Sequence, residues 1–236
     1  MSQLILTESF VQFLKAVNKI NDAAILSVAT DSLSCLIGTP DNTCFLYGTM
    51  SCKSDYNGVL NLPSLAKLAR ALDHVNDEIS FKINNNNLEY KSPLVRFKYH
   101  LLDNGILSQP LINIKKIQAI EFDISFTMGP QTLTELCKAS SFANDSNKLY
   151  LSCDGKQLRG ELTDKARQNI DSIELVLGEC NSAFEPVPIN LDFIRSLSYT
   201  NSSSIAVKIN EEHGVVSIDI LNENHKLKYI TSSFTS

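Results

Sequence analysis

TESFVQFLKAVNKI, residues Thr7–Ile20, carries Phe10, Phe13, Leu14 and Val17 at the i, i+3, i+4 and i+7 spacing of one helical face. Gln12, Lys15 and Lys19 share another face, so the predicted helix is apolar on one side and basic on the other. Taken alone, such a helix reads as a solvated cap over a sheet. It gains weight because the chain repeats it.

Outward from this helix, the sequence predicts short strands at residues 25–30, 34–39, 43–50 and 58–62, separated by turn-prone runs such as Thr39-Pro40-Asp41-Asn42. A second helix is expected from Pro63, a favoured first helical residue, to Val75. Leu65, Leu68, Ala69 and Leu72 form its apolar stripe, and Lys67, Arg70 and His74 lie opposite. Strands at 79–84, 88–91 and 95–101 follow, with Asn84–Asn87 as a turn.

The same order then recurs. Phe10, Phe13, Leu14, Lys15 and Ala16 map onto Leu133, Leu136, Cys137, Lys138 and Ala139. Pro63, Leu68, Ala69, Arg70 and Leu72 map onto Pro188, Phe193, Ile194, Arg195 and Leu197, and ISFKIN (Ile79–Asn84) onto IAVKIN (Ile205–Asn210). Phe97-Lys98-Tyr99 finds its counterpart in Leu227-Lys228-Tyr229. The numbering offset grows steadily, as small loop insertions in a duplicated module require. The fold class read from this is α+β: two tandem modules, each with two helices packed on antiparallel β-sheets. The module boundaries fall at residues 1–102 and 117–236, with 103–116 as a connector marked by Asp103-Asn104-Gly105 and Ser108-Gln109-Pro110.

Composition excludes several classes. At 43% apolar and 20% charged, the 236-residue chain is ordinary for a globular protein, with room for two cores. No apolar run reaches membrane-spanning length and the N-terminus has no secretory pattern, so a cytoplasmic location without membrane is expected. The six cysteines have no CxxC pair and read as small, reduced, buried hydrophobes. No phosphate-binding glycine loop, HExxH or GxSxG occurs, so neither a cofactor, nor a metal, nor a catalytic residue is expected. Glu211-Glu212-His213 reads as a solvated hairpin tip.

A net charge of −5 argues against a generic nucleic-acid coat. Charge location changes that reading. The helical stretches 7–20, 63–75, 132–143 and 190–200 carry Lys15, Lys19, Lys67, Arg70, Lys138 and Arg195 against Glu8, Asp73, Glu135 and Asp192, a small cationic excess within an otherwise acidic chain. If the helices of several chains faced one centre, these charges would add there, within a Debye length of about 8 Å.

Two such modules per chain, with basic helix faces, resemble the DNA polymerase sliding clamps of the proliferating-cell-nuclear-antigen fold. The run from Leu158-Arg159-Gly160 through Ala166-Arg167 to Ser172–Glu179, SIELVLGE, is similar in particular to T4-type bacteriophage clamps. The resemblance implies a homotrimeric ring around duplex DNA, lined by helices. It further implies DNA polymerase and an ATP-dependent clamp loader as partners, no enzymatic activity, and host cytoplasm if the protein is viral. By position it assigns Gln12, Lys15, Lys19, Lys67, Arg70, His74, Lys138 and Arg195 to the DNA-facing surface. It assigns Cys44, Phe45, Leu107, Pro110, Leu111, Ile112, Tyr229 and Ile230 to a pocket for partner peptides. Subunit contacts would join the edge strand with Val95, Phe97, Tyr99 and Leu101 to a neighbour's strand with Ile173, Leu175 and Leu177. The rival reading is a structural or assembly β-protein, for instance a virion component, with no DNA in its centre. An enzyme with a spatially assembled site has the least support.

Overall fold

The computed structural model describes residues 2–75, 78–112, 119–142, 146–197, 202 and 204–233. It divides into two compact units, Met1–Ile112 with Glu223–Lys228, and Asn113–Asn222 with Tyr229–Ser236.

Unit 1 runs β1 (Ser2–Leu6), α1 (Ser9–Asn18), β2 (Ala24–Val28), β3 (Ser32–Gly38), β4 (Cys44–Ser51), β5 (Lys53–Ser54) and β6 (Gly58–Leu62), then α2 (Leu65–Leu72), β7 (Ile79–Asn84), β8 (Asn87–Lys91) and β9 (Arg96–His100). Its strands lie in the orders β5-β1-β7-β8-β9 and β4-β3-β2-β6, antiparallel throughout. Alternating burial along β2, β4 and β7 shows one face of each strand turned to the core.

Unit 2 runs β10 (Ile124–Met128), α3 (Pro130–Ala139), β11 (Lys148–Asp154), β12 (Gln157–Leu162), β13 (Ile173–Glu179) and β14 (Ala183–Asn190), then α4 (Leu191–Ser196), β15 (Ser204–Asn210), β16 (Val215–Leu221) and β17 (His225–Ser232). The strand orders are β10-β15-β16-β17 and β13-β12-β11-β14. Strand by strand, these repeat the orders β1-β7-β8-β9 and β4-β3-β2-β6 of unit 1, so the duplication read from the sequence is a duplication of topology. Residues 225–228 of β17 cluster with unit 1 and its later residues with unit 2. Ser51 N–H donates to Asn224 O at 3.4 Å, and the His225 ring stands edge-on to Phe13 at 6.2 Å.

Several expectations shift. The helix expected from Pro63 begins at Leu65, because Ser64 takes the N-cap: its Oγ accepts the Lys67 N–H at 3.3 Å. The favoured proline position is instead used by Pro130, the first residue of α3. β1 escaped the sequence reading because its five residues offer one short alternation, and its Cα partners lie far away in β5 and β7. Residues 113–116 of the expected connector, Ala143 of the expected third helix and 198–200 of the fourth lie outside the described residues. The Glu211-Glu212-His213 run is the turn between β15 and β16. All six thiols are free, five of them buried and Cys137 half-buried.

The core of unit 1 is built around α1. Phe10, Phe13, Leu14 and Val17 are at most 1% exposed, each worth about 1.5–3 kcal/mol on burial. Phe10 stacks on Phe13 at 6.5 Å and meets Phe81 of β7 edge-on at 6.3 Å. Phe13 approaches β4 where it has no side chain: a Cβ on Gly48 would lie 2.7 Å from the Phe13 ring. In unit 2 a Cβ on Gly160 would lie 2.8 Å from Leu177 and 3.2 Å from Leu149.

Gly48→Ala should therefore destabilise the protein by about 1–3 kcal/mol through overpacking, read as a lower urea midpoint at unchanged slope. A second expectation concerns acid. Burial holds the His225 imidazole below its ordinary value of 6.5, so the native state favours its neutral form. That contribution is fully present above pH 6.5 and is lost as pH falls through 6.5 toward the depressed native value. Thermal melts between pH 7.5 and 5 should show the loss, and His225→Phe should flatten it.

Candidate nucleic-acid interface and docking cavity

Helices α1 and α2 pack side by side in unit 1, each with one apolar face buried. The opposite faces expose Gln12, Lys15 and Lys19 from α1 and its C-cap, and Lys67, Arg70 and His74 from α2 and the turn after it. The start of α2 is held at several points, which sets the direction in which Lys67 and Arg70 project. Asp22 Oδ1 accepts the Ala66 N–H at 2.8 Å. Tyr99 Oη accepts the Ser64 N–H at 2.9 Å and donates to Ser64 O at 2.7 Å. Burial pushes the Tyr99 phenol up to about 12, so it stays protonated and able to donate.

These cations are not equivalent. Lys15 Nζ lies 2.6 Å from Asp73 Oδ1, with the side chains 56% and 37% exposed, so part of its charge is offset in a screened pair. Among the described residues no carboxylate pairs with Lys67 or Arg70. In unit 2, α3 exposes Glu135 and Lys138, and α4 exposes Asp192 and Arg195. Arg195 Nη1 lies 2.9 Å from Asp192 Oδ1, and Nη2 donates to Ser140 Oγ at 3.3 Å. The helical face of unit 1 is therefore cationic and that of unit 2 is balanced. The composition of the helices showed this imbalance; the Asp73 partner, distant in sequence from Lys15, was not legible there.

A cavity of about 620 Å³ in unit 1 brings together Phe45, Pro110, Leu111 and Ile112 from the sequence-derived set. It adds Ile25 and Leu36, which the sequence reading left out because they alternate like ordinary strand residues, and Pro40, which it read only as part of a turn. Phe45 faces outward because it alternates with buried Cys44 and Leu46. Its ring lies over Gly38, where a Cβ would sit 3.0 Å from it and 3.5 Å from Pro110. Leu111 is wholly exposed. Other members of the set lie elsewhere. Cys44 is in the core, its thiol pushed up to about 12 by burial and then by Asp41. Leu107 is half-buried and does not line the cavity. Tyr229 and Ile230 are buried, Tyr229 edge-on to Phe193 at 6.4 Å within unit 2.

The expected contact strands are both sheet edges. β9 pairs only with β8, and β13 only with β12, among the described residues. Of the residues expected there, Tyr99 and Leu177 point into their own cores, Phe97 packs on Tyr90 at 5.4 Å, and Val95, Leu101, Ile173 and Leu175 are half-buried. Val176, outward between two core-facing leucines, is 59% exposed and was missed.

The antiparallel sheets, the paired helices and the internal repeat of topology define a sliding-clamp-like fold. No protein-family model matches the chain, and no curated protein matches it. Its fold is similar to that of a chain in the solved structure described as the C-terminal region of FEN-1 bound to A. fulgidus PCNA, with a TM-score of 0.80 at 16% identity, covering 100% of this chain and 99% of that one. This likeness shows the PCNA-type clamp fold. It does not bear on the T4-type character suggested by the sequence.

Two substitutions separate exposed charge from part-buried hydrogen bonding. Asp73→Asn should change the unfolding free energy by less than about 1 kcal/mol. Tyr99→Phe, which strips both hydrogen bonds from Ser64, should cost about 1–3 kcal/mol in the same urea titration.

Proposed function

We propose that the chain is the subunit of a nonenzymatic sliding clamp: copies close into a homotrimeric ring around duplex DNA and tether a DNA polymerase to it, raising processivity. The observation that carries this reading is the full-length PCNA-type clamp fold together with the exposed cationic face of α1 and α2. A lining that slides must attract phosphates without reading bases, and unpaired lysine and arginine side chains on rigid helices do that. On this reading Lys67 and Arg70 carry most of the attraction, Lys15 contributes less because of Asp73, and the balanced helices of unit 2 contribute little. The cavity beside Phe45, Pro110 and Leu111 would take apolar side chains of a partner peptide, and β9 of one copy would add to β13 of the next. An ATP-dependent loader would open the ring, in the cytoplasm or, for a viral protein, the host cytoplasm.

Light scattering should give three times the 26.2 kDa chain mass, and the ring, loaded on closed circular DNA, should be lost on linearisation. Lys67→Glu with Arg70→Glu should keep the trimer and weaken both retention and polymerase stimulation, whereas Asp73→Asn should strengthen retention by freeing Lys15. A monomeric mass at tens of micromolar overturns the reading. A ring that is never retained on circular DNA supports the structural scaffold instead.

A further inference from the structure

The order β4-β3-β2-β6 in unit 1 repeats as β13-β12-β11-β14 in unit 2, so β6 and β14 are counterpart strands, and their edges are guarded by different means. β14 carries Pro186 and Pro188, which have no N–H to offer a further strand. β6 contains no proline. Its outer edge can be assigned group by group. Ala29 N–H donates to Ser32 O at 2.8 Å, so β2 turns the backbone groups of Ile25 and Ser27 toward β3 and those of Ala24, Leu26 and Val28 toward β6. Leu62, Leu60 and Gly58 stand opposite these three, which leaves Val59 and Asn61 with their backbone groups directed outward.

The outward carbonyls are engaged and the outward N–H groups are not. Tyr56 Oη donates to Val59 O at 2.9 Å, and Leu102 N–H donates to Asn61 O at 2.9 Å. Among the described residues no acceptor meets Val59 N–H or Asn61 N–H. Asn61 is only 5% exposed, and a buried donor without an acceptor carries a cost that an arriving carbonyl removes. Val59 and Asn61 line a cleft of about 410 Å³ together with Tyr56, Leu60, Ile83 and Leu101. It shares no lining residue with the cavity beside Phe45, and Asp103 is its one charged lining residue. The Tyr56 hydroxyl reaches Val59 O across Gly58, where a Cβ would lie 2.7 Å from Tyr56 Oη.

We propose that the β6 edge is a docking site for an extended peptide segment of a partner protein, and that Tyr56 is a latch which the peptide displaces. The arriving segment donates an N–H to Val59 O in place of the Tyr56 hydroxyl. Its carbonyls accept from Val59 and Asn61, two donors set about 6.5 Å apart by the strand repeat. Apolar side chains on one face of the segment meet Leu60 and Ile83, and a lysine or arginine suits Asp103. The cleft has room for one short segment and not for the sheet edge of a second copy. Prolines close β14 permanently, whereas a single hydroxyl closes β6 reversibly, and that difference marks β6 as the edge kept usable. The site does not depend on ring closure.

Amide NMR spectra of the full chain, titrated with the strand-forming probe acetyl-Thr-Val-Lys-Val-Thr-amide, test it. The Val59 and Asn61 N–H signals should move to low field as the peptide is added. Tyr56→Phe, which frees Val59 O, and Gly58→Ala, which pushes the hydroxyl away, should each bind the probe at least about threefold more tightly. Val59→Pro, which removes one outward donor and leaves the ladder to β2 intact, should bind at least about tenfold more weakly while keeping its urea midpoint. Unmoved Val59 and Asn61 signals at millimolar probe, or shifts confined to the residues around Phe45, overturn the site and leave the clamp reading untouched. Shifts at Val59 and Asn61 with Tyr56→Phe and Gly58→Ala binding no more tightly than the native chain overturn the latch. Should Val59→Pro fail to fold, those two variants and the native spectra still decide.

Discussion

Phe13 lies so close over Gly48 that a single methyl group there would sit 2.7 Å from its ring, and this contact between α1 and β4 conditions the rest of unit 1. It seats the helix low on the sheet, so that Phe10 reaches Phe81 and the whole apolar stripe is taken out of water. Only a helix fixed on that side can hold Gln12, Lys15 and Lys19 at a fixed height on the other. The partner helix is fixed differently, through its first turn: Ser64, Asp22 and Tyr99 satisfy backbone groups that a helix start leaves without intrahelical partners. Packing seats both helices, and hydrogen bonding in addition pins the start of α2.

The electrostatics of the helical faces are of a modest kind. The chain is acidic overall, with a net charge of −5, and its cations are concentrated rather than abundant. Asp73 beside Lys15 and Asp192 beside Arg195 temper two of the six cationic positions of the helices. All these groups are exposed to solvent, so each interaction is short-ranged and salt-sensitive.

Much of the architecture was legible in the sequence because it rests on local periodicity. FVQFLKAV can bury one face only as a helix, and ISFKIN alternates as a strand must. The recurrence of these patterns pointed to duplication. What the sequence could not show rests on distant partners. β1 is a strand because β7 and β5 flank it. Pro63 looked like a helix start and is not one, because Ser64 beside it has both a cap to form and Tyr99 to bond. Within the docking set, residues sharing a short segment, Pro110, Leu111 and Ile112, do line one cavity with Phe45. Cys44, one residue from Phe45, is turned into the core by the pleat.

By itself, then, the sequence determined the four helices, strands such as β2, β4 and β7, the repeat, and which side of each helix is charged, since these depend on spacing of 3.6 or 2 residues along one chain. Tertiary structure alone decided which cations keep their charge free, which strands become open edges, and which like charges meet across a ladder. Those outcomes depend on pairs such as Lys15 with Asp73, Arg96 with Lys91 and Glu174 with Glu161. Each pair is made by a fold that no local pattern encodes.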